Sequence, residues 1–176
     1  TAKDTAEIEL DANGEFVRNP GVDLVKVAVV ERHQGTGNVA CGFLKGYGIK
    51  EGAVALSVAH DSHNIIVVGV NDEEMEFAVN SLIEQEGGIV LVKEGKVIES
   101  MPMPIAGLMS DQSGEWVDQK LTDIHEKAYE ELGICGDVEP VMTLCFMSLA
   151  VIPEIKLTDM GLFDVTTFSF IPVEVE

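Results

Sequence analysis

Two of the chain's four histidines fall in the short segment Ala59-His60-Asp61-Ser62-His63-Asn64, beside an aspartate, a serine and an asparagine. Imidazole, carboxylate, hydroxyl and amide groups at this density can move protons, ligate a metal or hydrogen-bond the edge of a heterocycle. The segment lies between two apolar runs, Ala53–Ala59 and Ile65–Val70. Both runs are rich in Val and Ile and read as buried strands. Polar groups are costly to hold between core strands, so the cluster belongs at a strand end or tight connection, facing a cleft or a partner surface.

Complete catalytic sets are not evident around it. In an extended strand, positions three apart point to opposite faces, so His60 and His63 meet one metal ion only across a turn. No third soft ligand lies nearby, and no metal site is expected in this chain. Ser57 and Ser62 neighbour the histidines, but the G-x-S-x-G elbow of serine hydrolases is absent, and adjacency in sequence is not triad geometry. Zinc deaminase signatures of the H-x-E and P-C-x-x-C type are also absent. Gly35-Thr36-Gly37-Asn38-Val39-Ala40 fits the dinucleotide pattern G-x-G-x-x-A, yet it neither follows directly from a strand nor opens a helix. A loop that needs positive φ is the simpler reading. His125 is expected on a solvated helix face, and the methionines 101, 103, 109, 142 and 147 are expected as core filler.

The elements that must position the cluster follow from pattern. Asn13-Gly14 marks a hairpin turn. Leu24–Val30 reads as a strand, and Cys41–Leu44 as a short one. Asp72–Glu86 is the clearest helix, with Met75, Ala78, Val79, Leu82 and Ile83 on one stripe, Asn71 or Asp72 as cap and Gly87 as stop. Ile89–Val92 and Lys96–Glu99 flank the turn Glu94-Gly95. The prolines of Met101-Pro102-Met103-Pro104 preclude a central strand there. Glu115–Leu132 predicts a second helix. Val141–Leu149 is apolar all round and reads equally as buried helix or strand. Leu162–Pro172 is strand-like. Strands come in groups with helices between the groups, which predicts an α+β fold. The expectation is a single compact domain over residues 1–176, with mixed, largely antiparallel β-sheet and two to three helices.

Composition narrows the function classes. Eleven basic residues against 31 acidic ones give a net charge of −20. That field repels phosphate backbones and anionic lipid surfaces, so nucleic acid and membrane are not expected partners. No apolar run reaches the roughly 18 residues of a membrane span, and the charged stretch Thr1–Glu9 does not read as a signal peptide. Cys41, Cys135 and Cys145 are odd in number and widely spaced, which argues against a disulfide framework and for a reducing cytoplasm.

A series of segments in order is more specific than any of these features. They are Glu31-Arg32-His33, Gly42-Phe43-Leu44-Lys45-Gly46-Tyr47-Gly48, Ala59-His60-Asp61-Ser62-His63-Asn64, Pro104-Ile105-Ala106-Gly107-Leu108-Met109-Ser110-Asp111 and Val151-Ile152-Pro153-Glu154-Ile155-Lys156-Leu157-Thr158-Asp159. The series resembles the C-terminal domain of bacterial and archaeal adenine deaminases, members of the amidohydrolase superfamily, from about Glu7 to Phe168. Departures at Met101-Pro102-Met103-Pro104 and Pro140-Val141-Met142 exchange one apolar type for another.

The resemblance implies an enzyme of purine metabolism that hydrolyses adenine to hypoxanthine and ammonia. It implies a divalent metal (manganese, iron or zinc) held in a separate (β/α)₈ barrel domain, for which 176 residues leave no room. The barrel is then the expected partner, adenine the substrate of the whole enzyme, and a homo-oligomer a further expectation. This chain alone, without metal ligands or a complete catalytic set, is expected to be inactive. Arg32, His33, His60, Asp61, Ser62, His63, Asn64, Ser110 and Asp111 are the candidates for a substrate-cleft or interface surface. The other readings are a structural module for oligomerisation and a free-standing domain that binds a purine or other small ligand.

Overall fold

The structure, a computed structural model, describes residues 1–175. Its centre is a six-stranded antiparallel sheet of β3 (Leu24–Val30), β4 (Val39–Lys45), β5 (Ala53–Leu56), β6 (Ile65–Gly69), β7 (Gly88–Lys93) and β8 (Lys96–Pro102), in the order β4-β3-β6-β5-β7-β8. A short hairpin of β1 (Glu9–Leu10) and β2 (Phe16–Val17) precedes it, turning at Asn13-Gly14. A three-stranded sheet of β9 (Ile155–Thr158), β10 (Gly161–Asp164) and β11 (Ser169–Ile171) closes the chain. The helices are α1 (Asp72–Glu84), α2 (Gly114–Glu130) and α3 (Pro140–Cys145). None is long and apolar enough to cross a membrane.

The two-residue period of the strands divides the core. Ala28, Ala53, Ala55, Ile65, Val67, Val90 and Val92 face α1 and meet Met75, Ala78 and Leu82. The small side chains let the helix approach closely. A Cβ at Gly69 would lie 2.5 Å from Met75 Cγ. Val25, Val27, Val29, Val54, Leu56, Ile66, Val68, Ile89, Leu91 and Met101 point the other way, onto Ile124 and Ala128 of α2 and Val141 and Leu144 of α3. Leu157 joins this second face beside Gly42 of β4, as does Leu162, so the small sheet lies on the same side as α2 and α3. Burial on both faces explains why β5 and β6 are apolar throughout rather than alternating.

The expected α+β fold is present, and every strand pairing is antiparallel. Several boundaries differ from expectation. β4 runs over seven residues, longer than Cys41–Leu44, because its full length pairs with β3. β8 includes Pro102, which an edge strand tolerates because no further strand needs its missing donor. Val141–Leu149 resolves as a short helix followed by turns. Leu162–Pro172 splits into β10 and β11, and β9 was not anticipated. Helix α1 ends as Glu86, at φ 65°, and Gly87, at φ 101°, turn the chain left-handed, with Gly87 N donating to Leu82 O.

Candidate functional site

The site begins where β6 starts and β3 ends, since Val30 pairs with Ile65. That register sets Glu31-Arg32-His33 beside His60–Asn64. Asn64 is buried, and its Oδ1 accepts from Arg32 N at 3.3 Å. Arg32 Nε donates to His63 O at 2.5 Å and Nη2 to Ala106 O at 2.8 Å. The guanidinium therefore ties the histidine loop to the turn 105–109. Burial lowers its pKa, as it does for any cation taken from water. Gly107, at φ 72°, is required here: a Cβ would lie 2.4 Å from Arg32 Nη1.

Other contacts fix the loop. His63, at φ 54°, donates its backbone N–H to Ala59 O at 2.7 Å. His60 N donates to Cys145 O at 2.8 Å, and its carbonyl accepts from Ser148 Oγ at 3.0 Å. Its ring lies 5.0 Å from that of Phe146 and 5.6 Å from that of His63, centroid to centroid. His33 Nε2 meets Ser62 O at 2.7 Å and so carries the hydrogen in this arrangement. Three of the four histidines thus share one surface. The Glu31 carboxylate accepts from the backbone N–H groups of Thr36, Gln34 and His33 and from the Thr36 hydroxyl. These donors hold its pKa down at about 2, so Glu31 stays an anion that folds the Gly35–Gly37 loop, and the loop connects β3 to β4.

The side-chain chemistry left over is concentrated at His63. Its Nδ1 is buried and has no hydrogen-bond partner among the described residues. Burial lowers its pKa first, and the neighbouring His60, Arg32 and His33 add to the effect. A ring held neutral at pH 7 can donate from one nitrogen and accept at the other. Asp61 and Ser62 are exposed beside it. Ser110 and Asp111 behave differently. Ser110 Oγ accepts from Gln112 N, and Asp111 Oδ1 from Gln112 Nε2, so both serve their own turn.

Some residues of the site were not anticipated. Ser57 was weighed only as a nucleophile. It is fully buried, donates from Oγ to Gly107 O at 2.6 Å and accepts from Gly88 N at 2.8 Å. It anchors from inside the turn that Arg32 grips from outside. Phe146 and Ser148 come from the segment after α3. No local spacing announces these partners, which lie 31 or more residues away in sequence. His125, expected on a solvated face, instead joins two helices. Its Nδ1 faces Leu121 O at 2.6 Å and its Nε2 faces the carboxylate of Glu139, the N-cap of α3. The methionines also divide: Met101 and Met103 are buried, whereas Met109 and Met142 are exposed.

Among the described residues no three His, Cys, Asp or Glu side chains stand close enough to hold a metal ion. His33, the third histidine of this surface, is engaged by Ser62 O. A cleft of about 530 Å³ lies elsewhere, between α1 and β8, lined by Phe77, Asn80, Ser81, Glu84, Gln85, Val97 and Ser100. Its walls carry one carboxylate and no histidine, and none of the candidate residues reaches it. None of the histidines lines that cleft: His33 is exposed, and His60 and His63 are half-buried.

The family described as the adenine deaminase C-terminal domain matches residues 1–169. Adenine deaminase 2 of Desulfotalea psychrophila is 70% identical over 174 residues, which are 99% of this chain and 30% of that protein. The adenine deaminase of Ligilactobacillus salivarius is 49% identical over 176 residues, 100% of this chain and 30% of its own length. That of Bacillus subtilis is 49% identical over 160 residues, 91% of this chain and 28% of its own length. The chain spans about 30% of the length of the relatives it matches. It belongs to the adenine deaminase C-terminal domain family.

Proposed function

We propose that residues 1–176 act as one unit, the C-terminal domain of an enzyme that hydrolyses adenine to hypoxanthine and ammonia in purine salvage. In this reading the face built on Arg32, His33 and His60–Asn64 closes over the mouth of the catalytic region. The observation that carries it is His63, whose backbone is fully held while its Nδ1 is left without a partner. Nδ1 itself is covered, so the ring's other nitrogen is the atom that a group supplied from outside, such as the edge of a purine, would meet.

The chain's own residues then have separable tasks. His63, kept neutral, donates to or accepts from the heterocycle. Arg32 and Ser57 hold the loop and the turn 105–109 in register. Phe146, packed on His60, excludes water at the contact. The divalent metal of the reaction, whether manganese, iron or zinc, would be held by the catalytic region, because the residues here do not fit one. The enzyme would work in a reducing cytoplasm, where free Cys41, Cys135 and Cys145 persist.

The experiment is steady-state kinetics on the full-length enzyme carrying His63→Ala. We expect kcat/KM for adenine to fall about tenfold or more, with the melting temperature within a few degrees of wild type. Unchanged kcat and KM would remove the role of this face. The isolated 176-residue chain should release no ammonia from adenine, and release by it would overturn the division of labour.

A further inference from the structure

The small sheet has two unlike faces. Leu157 and Leu162, paired across β9 and β10, point to Gly42 of β4 and are covered. On the opposite face Lys156 pairs with Phe163, and Phe163 pairs with Phe170, so three side chains form a row across the sheet. Phe163 stacks edge to face with both Phe168 and Phe170 at 5.2 Å between centroids. Phe168 is 77% exposed and Phe170 53%. Phe168 also adopts φ 54°, a conformation that bulky residues rarely take. Among the described residues, the aromatic partner of this displayed ring is the edge of Phe163.

Lys156 is the second anomaly. It is 3% exposed, yet among the described residues it forms no ion pair, and its ammonium donates only to Thr1 Oγ1 at 2.7 Å. Burial lowers its pKa without a carboxylate to restore it. Thr1 is itself fastened to the sheet: its hydroxyl donates to Ile155 O at 2.7 Å, and its carbonyl accepts from Glu154 N at 2.9 Å. Lys3 continues the seam through Glu154 and Asp164. The relatives are more than three times as long as this chain, and the matching family is a C-terminal domain. The rest of such a polypeptide therefore arrives at Thr1, against Lys156 and the aromatic row.

We propose that the outer face of the small sheet, with Lys156, Phe163, Phe168 and Phe170, is the seat of the polypeptide region that precedes Thr1. The aromatic rings supply the apolar contact, and Lys156 takes an acceptor oxygen from that region. This rests on the reading of the chain as the C-terminal part of a longer enzyme, and it concerns a surface distinct from the histidine face.

The test uses the full-length enzyme with a protease site introduced upstream of Thr1. After cleavage, the two parts should co-elute on size exclusion. Phe168→Asp should weaken their association about tenfold or more, and Phe168→Asp with Phe170→Asp further still. Both side chains are exposed, and circular dichroism of each variant checks that it folds. Lys156→Met should also weaken association, because it keeps the bulk and removes the donor. Three results would overturn the proposal. The cut wild-type parts separate freely, or the Phe168 variants associate as tightly as wild type, or these variants change the subunit number of the uncut enzyme while the cut parts stay together. Adenine turnover of the uncut wild type is read in parallel. Its absence would sink the proposed reaction and leave the docking result standing.

Discussion

His125 and His63 are the same side chain in opposite situations. At His125 both ring nitrogens face oxygens, one a carbonyl a turn back in α2 and the other the carboxylate that caps α3. Its hydrogen-bonding capacity is consumed in joining two helices. At His63 the backbone N–H and C=O are both bonded, but Nδ1 has no partner. The contrast teaches that residue type alone does not mark a working site. A fixed backbone with an unused side-chain atom is what makes His63 the candidate.

The largest effect expected from breaking the contrast is on activity. Arg32→Ala removes the donors to His63 O and Ala106 O, so the loop loses its register. In the full-length enzyme kcat/KM for adenine should fall by one to two orders of magnitude, while urea unfolding shows a loss of about 2 kcal/mol. Arg32→Lys should not rescue it, because one ammonium cannot serve two divergent carbonyls. Near-normal kinetics in Arg32→Ala would show that the loop does not depend on this tie.

His125→Ala should do the reverse. Stability should drop by about 1 kcal/mol as two hydrogen bonds are lost, and adenine kinetics should not move. A kinetic defect with unchanged unfolding would erase the distinction between the two histidines.

The pH dependence sharpens it further. The folded-state pKa of His63 lies below its ordinary value of 6.5, so the unfolded chain binds the proton more readily. Stability from this source is present above that value and declines as pH falls through it toward the folded pKa. Melting curves between pH 8 and pH 5 should therefore show a smaller acid-side loss in His63→Ala than in wild type. An equal loss would mean that another group carries the effect.

The smallest expected effect is at Glu31, which is half-buried and surrounded by donors. Its depressed pKa means that the stabilising anion is present above 4.5 and lost only as pH falls through about 2. An NMR titration of Glu31 should find it still ionised at pH 3. Glu31→Gln should loosen residues 32–36 with little change in global stability.

Much of the frame was legible because its signals are local. Leu24–Val30 and Ile65–Gly69 are apolar without interruption, and the α1 stripe repeats at helical spacing. The placement of His60–Asn64 in a connection between two strands followed from the apolar runs on either side. What was hidden depends on partners distant in sequence. Strand β9 escaped notice because Lys156 interrupts its apolar character, and only the folded chain buries that lysine. Ser57 could be weighed only as a nucleophile, because Gly88 and Gly107 reach its hydroxyl only in the folded chain. His125 sits among charged neighbours in α2 and reads as solvated, since Glu139 reaches it only when α3 folds back. Ser110 and Asp111 were drawn to the site by proximity in a motif, while their side chains bond to Gln112.

Pro102 closes the outermost strand of the six-stranded sheet. An open ladder of amide groups invites extended segments of unrelated molecules to add to it, which is how many β-rich proteins begin to clump. Here the end of that ladder lacks a donor, and α2 stands over the strand, pinned by the ion pair of Lys120 with Glu99 at 2.6 Å. The sheet is thus guarded on this flank against the addition of a further strand.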